Sequence, residues 1–287
     1  MLRRVKEDQL KDLPAKTIHA GAPQTEVGQI CVAPELSAMM KGRQLQAYDA
    51  ALDDFRSQRA VDDMRGKAFS VLRELRRISL HPDLCNPSAL RASSAAEARQ
   101  KMMISGKMEV LLRQLDAIRL SGEKVILFME TKSLQRCLAL WLNQIYDLDI
   151  AIINGDTAAV SKRSDVLTRK QYIAEFEAKP GFNLIIMSPV AAGVGLTVIG
   201  ANHVIHLERH WNPAKEAQAS DRVYRIGQKK EVHVYLPAVL HPQFASFDVH
   251  LDRLLRGKLM LKDAVVTPEG VNDNEIIQSM GLNGGSE

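Results

Sequence analysis

Residues 183–208, NLIIMSPVAAGVGLTVIGANHVIHLE, determine the predicted fold. Two predominantly apolar runs, at 183–188 and 203–208, flank a stretch of small residues at 189–198. Apolar runs of this length predict strands that are buried on both faces, as in a parallel sheet. The small residues predict a turn and a helical stub at the carboxyl end of the first strand, where parallel α/β sheets bind their ligands.

The two glycines of this turn, Gly193 and Gly195, have a predicted role in binding. Glycine lets the backbone approach a ligand closely, and a turn before a helix offers N–H groups to phosphate oxygens. A G-x-G pair alone is weak evidence for a nucleotide site. It gains meaning only from the segments that surround it.

The alternation of strand and helix extends over about 105–237. Apolar runs separated by helical stretches indicate an α/β fold, with a parallel sheet flanked by helices. The strands are predicted at 124–129, 149–153, 183–187, 203–207 and 232–236, and the helices at 107–120, 133–146, 166–178 and 213–226. A helix-rich segment at about 36–100 precedes this region. After it, a helix at 246–260 leads to a polar tail that we expect to be mobile.

The composition is that of a mildly basic globular protein. The 287 residues are 46% hydrophobic and include 38 basic and 34 acidic side chains, for a net charge of +4. This charge is compatible with a nucleic-acid partner but does not demonstrate one. Three cysteines without a CxxC spacing, and no apolar run of membrane-spanning length, predict an intracellular location rather than a disulfide scaffold or a membrane protein. We expect the cytoplasm or nucleoid in a prokaryote and the nucleus in a eukaryote.

Residues 211–228, WNPAKEAQASDRVYRIGQ, carry the candidate catalytic side chains. Asn212 and Pro213 are typical of the first turn of a helix, and Gly227 is typical of its end. Positions i, i+4 and i+7 of the predicted helix share one face and are occupied by Gln218, Arg222 and Arg225. Two arginines on a rigid helix can neutralise a transferred phosphate. The alternative is an exposed, salt-bridged helix.

Residues 188–228 resemble the fifth and sixth helicase motifs of the Swi/Snf (Snf-two) family of DNA-translocating ATPases. The pattern W-N-P-x-x-x-x-Q-A-x-D-R-x-x-R-I-G-Q is intact. The pattern S-T-x-A-G-G-x-G-L-N-L is altered at Pro189, Ala192 and Thr197. The chain is thus similar to the second, C-terminal RecA-like lobe of this family, within helicase superfamily two.

Weaker resemblance covers most of the remaining chain. LRRVKEDQLKDLPAK at 2–16 is similar to the family's link between its lobes, and ISLHPDL at 78–84 is similar to its I-C-N-H-P-x-L helix end. The wide spacing between Gly155 and Arg169 implies an insertion at 156–168. The resemblance implies an inter-lobe linker at 1–35, a helical protrusion inserted at 36–104, the C-terminal lobe at 105–237, and a brace-like helix with a flexible tail at 238–287.

Half of an ATPase site is absent from the sequence. It has no G-x-x-x-x-G-K-[ST] loop, because Gly106-Lys107 is followed by Met108, and it also has no D-E-x-H box. The resemblance implies a P-loop NTPase type of fold without its own P-loop. ATP and Mg²⁺ would then be held by an N-terminal RecA-like lobe of the same protein, which also carries the metal ligands.

The resemblance also assigns roles to individual residues. Arg222 and Arg225 would act as arginine fingers toward the γ-phosphate, and Asp221 would orient an arginine. The residues implied on the nucleotide side are Gly193, Gly195, Gln218 and Asp221. A simple surface ion pair is the alternative for Asp221.

Double-stranded DNA is the implied partner, held by its phosphates at strand-to-helix turns. The stretch 131–133 opens a predicted helix, where backbone N–H groups, hydroxyls and an ammonium meet. The predicted DNA contacts are Lys107, Thr131, Lys132, Ser133, Gly155 and Ser188. Ordinary solvated charge is the alternative for each lysine. Aromatic residues make up 5% of the chain, which argues against a base-stacking platform for single strands.

No metal site is predicted in this chain. His203 and His206 would point to opposite faces of one strand, so we expect a core or hydrogen-bonding role for them and for His210. The predicted function is that of the C-terminal lobe of an ATP-dependent double-stranded DNA translocase, which is inactive alone. A prokaryotic motor for repair, transcription or anti-phage defence is one setting. The alternative is a catalytically silent module of the same fold that binds nucleic acid or protein.

Overall fold

The computed structural model describes residues 13–23, 30–57, 64–86, 88–159, 167–192, 195–260 and 270–282. The described strands are β1 Lys16–Ala20, β2 Ile30–Val32, β3 Ser37–Met39, β4 Lys124–Phe128, β5 Ile152–Ile153, β6 Asn183–Met187, β7 His203–His206, β8 Val232–Leu236 and β9 Ala238–Leu240. Seven of them form one parallel sheet in the order β2-β1-β8-β7-β4-β6-β5. The two others, β3 and β9, pair in parallel as a small second sheet.

Ten α-helices are described along the chain. They are α1 Gly42–Ser57, α2 Met64–Leu80, α3 Ala95–Met102, α4 Gly106–Ser121, α5 Lys132–Tyr146, α6 Arg169–Ala178, α7 Pro189–Ala192, α8 Pro213–Ser220, α9 Phe247–Met260 and α10 Asp273–Ser279. Among the described residues, no helix combines the length and the apolar character needed to cross a membrane.

The central strands are buried on both faces, as their apolar runs predict. Val125 and Leu127 of β4 belong to one core, which α4 and α5 cover. Ile126 and Phe128 belong to a second core on the other face, which α6 and α8 cover. Fully burying such a side chain contributes about 1.5–3 kcal/mol. The predicted RecA-like α/β class, with helices on both faces of a parallel sheet, is confirmed.

The predicted linker at 1–35 contributes two strands to the main sheet. β1 pairs with β8 over its whole length, from Lys16 opposite Val232 to Ala20 opposite Leu236, and β2 extends the sheet beyond β1. The sheet is therefore wider than the strands predicted within 105–237. The sequence does not predict β1, because the strand is short and mostly half-buried and its residues, KTIHA, include Lys and His. Residues 1–12 and 24–29 lie outside the described residues.

The helical segment at 36–104 and the segment after 237 share a third core. Tyr48 of α1 and Leu75 of α2 pack with Leu251 of α9 and Ile276 of α10. The β3–β9 pair joins the same two segments. Residues 270–282, expected to be part of a mobile tail, instead form a docked helix whose start is a capping box between Asn272 and Glu275. Residues 283–287 lie outside the described residues, as do 160–166 of the predicted insertion.

Candidate functional site

The arginine-bearing segment begins as a helix where the sequence predicts one. Asn212 Oδ1 accepts from the backbone N–H groups of Ala214 at 2.9 Å and Lys215 at 3.2 Å, and Pro213 occupies the first helical position. α8 is buried on one side and leaves Gln218 exposed on its last turn.

The helix ends at Ser220, so the prediction of one continuous helix over 213–226 was wrong. The backbone N–H of Arg222 donates to Ala219 O and that of Val223 to Ser220 O, which is the tighter spacing of a turn. Val223 is fully buried, and burying it redirects the chain. Arg222 and Arg225 therefore lie on a compact turn rather than on the helix face that carries Gln218.

This turn is fastened to the segment that follows α7. Arg225 Nη1 donates to Thr197 Oγ1 at 3.0 Å, and Arg222 Nη1 lies 3.5 Å from Leu196 O. The backbone N–H of Val198 donates to Arg222 O at 2.9 Å. The two motifs singled out from the sequence therefore meet in space. We refer to residues 195–198 and 221–225 together as the arginine site.

Of the two glycines predicted to lie on the nucleotide side, the structure describes only Gly195. Gly195 is exposed and takes a left-handed φ of 66°, which favours glycine, and the space around it is open. A ligand could therefore approach the backbone of Gly195 closely. Gly193 lies outside the described residues.

The electrostatics of the arginine site favour an anion. Burial and the neighbouring charge of Arg225 lower the pKa of Arg222, whereas the Asp221 carboxylate opposes this shift. Arg225 itself is exposed. Two guanidinium groups close enough to repel each other would be relieved by a phosphate placed between them.

Lys16 is a member of this site that the sequence did not reveal. Its Nζ lies 3.1 Å from Asp221 Oδ1 and 5.3 Å from the centroid of the Tyr224 ring. Lys16 starts β1, in the segment interpreted as a linker, and no local pattern connects it to Asp221. The pairing depends on β1 entering the sheet beside β8.

A second candidate site lies at the carboxyl ends of three neighbouring strands, β4, β6 and β5. The predicted DNA contacts at 131–133, Ser188 and Gly155 follow these three strands in turn. Lys132 Nζ bridges two of the turns by an ion pair of 2.6 Å with Asp156 Oδ1, and both side chains are exposed. We call the residues 131–133, 155–156 and 188 the strand-end site.

Glu208 accepts hydrogen bonds from some of the donors that were predicted to bind phosphate. The backbone N–H groups of Glu130 and Thr131 each donate to Glu208 Oε2 at 2.8 Å, and Thr131 Oγ1 donates to Glu208 Oε1 at 3.1 Å. Thr131 therefore stabilises the turn through its hydrogen bonds to Glu208. Lys132 and Ser133 remain exposed at the start of α5 and are the groups that a phosphate can reach.

The two other members of the strand-end site differ in accessibility. Gly155 is exposed in a turn in which the backbone N–H of Asp156 donates to Asn154 Oδ1, with open space around it. Ser188 is half-buried, and its Oγ accepts from the backbone N–H of Ala191 at 3.2 Å. Arg169 secures this region from the side, because its guanidinium donates to the backbone oxygens of Thr157 and Asn154.

Lys107 is not available for the DNA contact predicted for it. The residue is 2% exposed, and its Nζ lies 2.7 Å from Asp248 Oδ1 in a buried ion pair. The segment after 237 covers the start of α4, and no sequence pattern indicates this placement. Lys107 is a structural residue at the junction of these segments.

The histidines have the hydrogen-bonding roles expected of them. His206 Nε2 lies 2.8 Å from Ser220 Oγ, and burial lowers the pKa of this imidazole to about 4. His203 Nε2 lies 2.7 Å from Glu123 Oε2, and His210 bonds to the backbone of Asn212. Among the described residues, no group of three or more His, Cys, Asp or Glu side chains is placed to hold a metal ion.

Comparison with known proteins finds a helicase domain in the chain. Residues 106–227 match the family model of the helicase conserved C-terminal domain. The Zorya protein ZorD of Escherichia coli O139:H28 (strain E24377A / ETEC) is 37% identical over 271 residues, which cover 93% of this chain and 23% of that protein. The chain thus spans less than a quarter of this relative.

Two solved structures share the fold. The C-terminal part of the Fun30 ATPase domain is 19% identical with a TM-score of 0.64, over 94% of this chain and 98% of that one. The Sulfolobus solfataricus SWI2/SNF2 ATPase core in complex with dsDNA is 24% identical with a TM-score of 0.61, over 92% of this chain and 49% of that one. The family match shows that the chain contains a helicase conserved C-terminal domain, and the two structures show that it has the fold of the C-terminal lobe of a Swi2/Snf2 ATPase.

Proposed function

We propose that this chain is the C-terminal lobe of an ATP-dependent translocase on double-stranded DNA. In this proposal Arg222 and Arg225 act on ATP that a preceding N-terminal lobe binds with Mg²⁺. The observation that carries the proposal is the arginine site, where two mutually repelling guanidinium groups are fastened beside the open backbone at Gly195.

The chemistry needs both lobes because this sequence has neither a phosphate loop nor the acidic box for Mg²⁺. Closing the cleft would bring Arg225, the more exposed of the two arginines, to the γ-phosphate. An arginine supplied there stabilises the charge of the transition state and is worth roughly a thousand-fold or more in rate. Gln218 lies nearby on the last turn of α8 and can bind the edge of the nucleotide or an ordered water. This chain alone would bind ATP poorly and would not hydrolyse it.

The strand-end site would hold the DNA. The ammonium of Lys132, the hydroxyl of Ser133 and the N-terminus of α5 face one exposed edge of the sheet, and they recognise phosphate without reading bases. The Lys132–Asp156 pair does not prevent this, because an exposed ion pair contributes only about 0–1 kcal/mol. A duplex phosphate can therefore take the place of Asp156.

The cell biology we propose is that of an intracellular nucleic-acid motor. A prokaryotic role in repair, transcription or anti-phage defence accords with the bacterial relative, in which case the protein works at the nucleoid. The solved Sulfolobus relative was captured with dsDNA, which supports a duplex rather than a single strand as the partner.

Duplex binding at several salt concentrations tests the DNA part of the proposal. Lys132→Ala should weaken binding by a similar factor on unrelated sequences and lower the salt slope by about one unit. Lys230→Ala is the matched control. Lys230 is also exposed and ion-paired, with Glu123 at 2.9 Å, but it precedes its strand rather than following one. Equal effects of the two substitutions, or a loss confined to one sequence, would remove Lys132 from the DNA-binding surface.

A further inference from the structure

Arg76 of α2 reaches from the helical segment to the base of the strand-end site. Its Nη2 lies 2.7 Å from Glu208 Oε1 and 3.4 Å from Glu130 Oε2. Its guanidinium also lies over the Trp211 ring, 5.1 Å from the centroid. The side chain is 27% exposed, whereas that of Glu208 is 3% exposed. The arginine is therefore held on three sides.

Glu208 in turn determines the shape of the turn before α5. Its two carboxylate oxygens accept three hydrogen bonds, from the backbone N–H groups of Glu130 and Thr131 and from the Thr131 hydroxyl. A buried carboxylate is costly without a countercharge, and removing one partner of a buried pair leaves the other uncompensated. Arg76 is the cation that contacts Glu208 in the described part of the chain.

We propose that Arg76 is a positioning residue for the DNA-binding turn, through which the helical segment controls the grip on DNA. The proposal rests on the proposed function of the strand-end site. Arg76 does two things there. It holds Glu208 in place, so that the amides of Glu130 and Thr131 stay ordered. It also offsets negative charge that would otherwise lie beside a bound phosphate.

The charges beside the start of α5 explain why the Arg76 guanidinium would affect DNA binding. Glu130 and Glu208 place two carboxylates next to the exposed start of α5, while His210 Nε2 lies 3.4 Å from Glu130 Oε1. The Arg76 guanidinium contacts both carboxylates and supplies positive charge that offsets them. Without it, the like charges of carboxylate and phosphate would repel across a partly buried region, where salt screens poorly.

The position of Arg76 makes this contact sensitive to movement of the helical segment. α2 packs mainly with α1, α9 and α10 in the third core, and only its last residue, Leu80, belongs to a core of the main sheet among the described residues. A shift of this unit against the sheet would pull the guanidinium away from Glu208. The turn before α5 would then lose both its order and its countercharge.

The first test needs no DNA. Amide hydrogen exchange of residues 130 and 131 is measured in the 287-residue chain with Arg76→Met, and in a control with Arg73→Met. Arg73 lies one turn earlier on the same helix and is exposed. We expect exchange at the two amides to accelerate by about tenfold or more in Arg76→Met only, since hydrogen bonds to a charged acceptor are lost. Unchanged exchange at both amides would overturn the proposal.

The second test measures duplex affinity in the same variants. Arg76→Met should weaken binding on any sequence, and Arg76→Lys, which keeps the charge without the planar fork, should fall between it and the unsubstituted chain. Adding Glu208→Gln to Arg76→Met should restore most of the affinity, because the glutamine amide retains an oxygen acceptor for the turn without the negative charge. Equal loss in the single and the double variant would assign Arg76 a general folding role and overturn the proposal.

The two tests separate this proposal from the function on which it rests. If Lys132→Ala leaves duplex binding unchanged, the strand-end site is not the DNA site, whatever Arg76 does. If Lys132→Ala weakens binding and Arg76→Met does not, the DNA site stands and the positioning role of Arg76 is wrong. Thermal unfolding of each variant identifies any loss of affinity that comes from misfolding. If Arg76→Met misfolds, the affinity of Arg76→Lys tests the proposal, and an affinity equal to that of the unsubstituted chain would overturn it.

Discussion

Lys16 Nζ lies 3.1 Å from Asp221 Oδ1, although 205 positions separate the two residues in the chain. The pair ties the first residue of β1 to the turn that carries Arg222 and Arg225. Anything that displaces β1 from the edge of β8 therefore acts on the arginine site. Among the described residues β1 is also the first strand of the sheet along the chain, so the pair connects this strand to the candidate catalytic side chains.

Lys16→Met should loosen the arginine site without unfolding the lobe. We expect faster hydrogen exchange at the Val198 amide, which donates to Arg222 O, and a loss of unfolding free energy of about 1–2 kcal/mol, since the pair is only partly buried. Lys16→Arg should retain slow exchange. Lys215→Met, at an exposed lysine of α8, is the control. Similar exchange in all variants would show that the pair does not order the turn.

Arg225→Ala should separate ATP turnover from DNA binding. In a polypeptide that joins this lobe to an ATP-binding lobe, we expect turnover to fall by about a thousand-fold, with duplex affinity nearly unchanged. Arg225 is exposed and its guanidinium donates to Thr197 Oγ1, so stability should change little. Turnover and affinity are measured side by side, with the exposed Arg253→Ala as control. A parallel loss of both properties would indicate a structural role for Arg225.

Lys107→Met should lower stability and leave the salt dependence of DNA binding unchanged. The substitution strands the Asp248 carboxylate in a buried position, which costs about 3–5 kcal/mol. Adding Asp248→Asn should recover part of this loss, because an asparagine oxygen still accepts from the Val239 N–H that now donates to Asp248 Oδ2 at 2.9 Å. Urea unfolding gives the stabilities. A lower salt slope at unchanged stability would return Lys107 to the DNA surface.

The features that sequence predicted correctly are those that depend on local pattern. The apolar runs of β4 and β6 are buried on both faces, and the Asn212 cap starts α8 where expected. The features that it missed depend on distant partners. β1 is ordered by β8, and Lys107 is buried because Asp248 returns from far along the chain.

The arginine site shows the same division within one motif. The sequence singled out the two patterns that contain 195–198 and 221–225, and the structure brings these two stretches into contact. It placed Arg222 and Arg225 on a helix because their spacing fits 3.6 residues per turn. The buried Val223 overrides that periodicity and bends the chain. Burial of one side chain cannot be read from spacing alone.

Acid should destabilise the lobe through its buried histidines, and His206 is the clearest case. Burial lowers the pKa of His206 to about 4, from 6.5 when unfolded. His206 Nδ1 is buried without a hydrogen-bond partner among the described residues, so a second ring proton would have no acceptor there. Between about pH 6.5 and pH 4 the unfolded chain binds more protons than the folded one. The contribution of His206 to the unfolding free energy is therefore fully present above about pH 6.5. It is lost as the pH falls to about 4, by about 3 kcal/mol in all.

His206→Gln should reduce this pH dependence. The variant loses some stability at pH 7, where the glutamine packs less well than the imidazole, but its unfolding free energy should fall less steeply from pH 6.5 to pH 4.5. The slope should not vanish, because burial also lowers the pKa values of His19, His81 and His203. Ser220→Ala is the control: it removes the hydrogen bond to His206 Nε2 but retains the titrating group, and so should keep most of the slope. Urea unfolding at intervals of pH measures each curve. Parallel curves for His206→Gln and the unsubstituted chain would show that His206 is not responsible for the acid sensitivity.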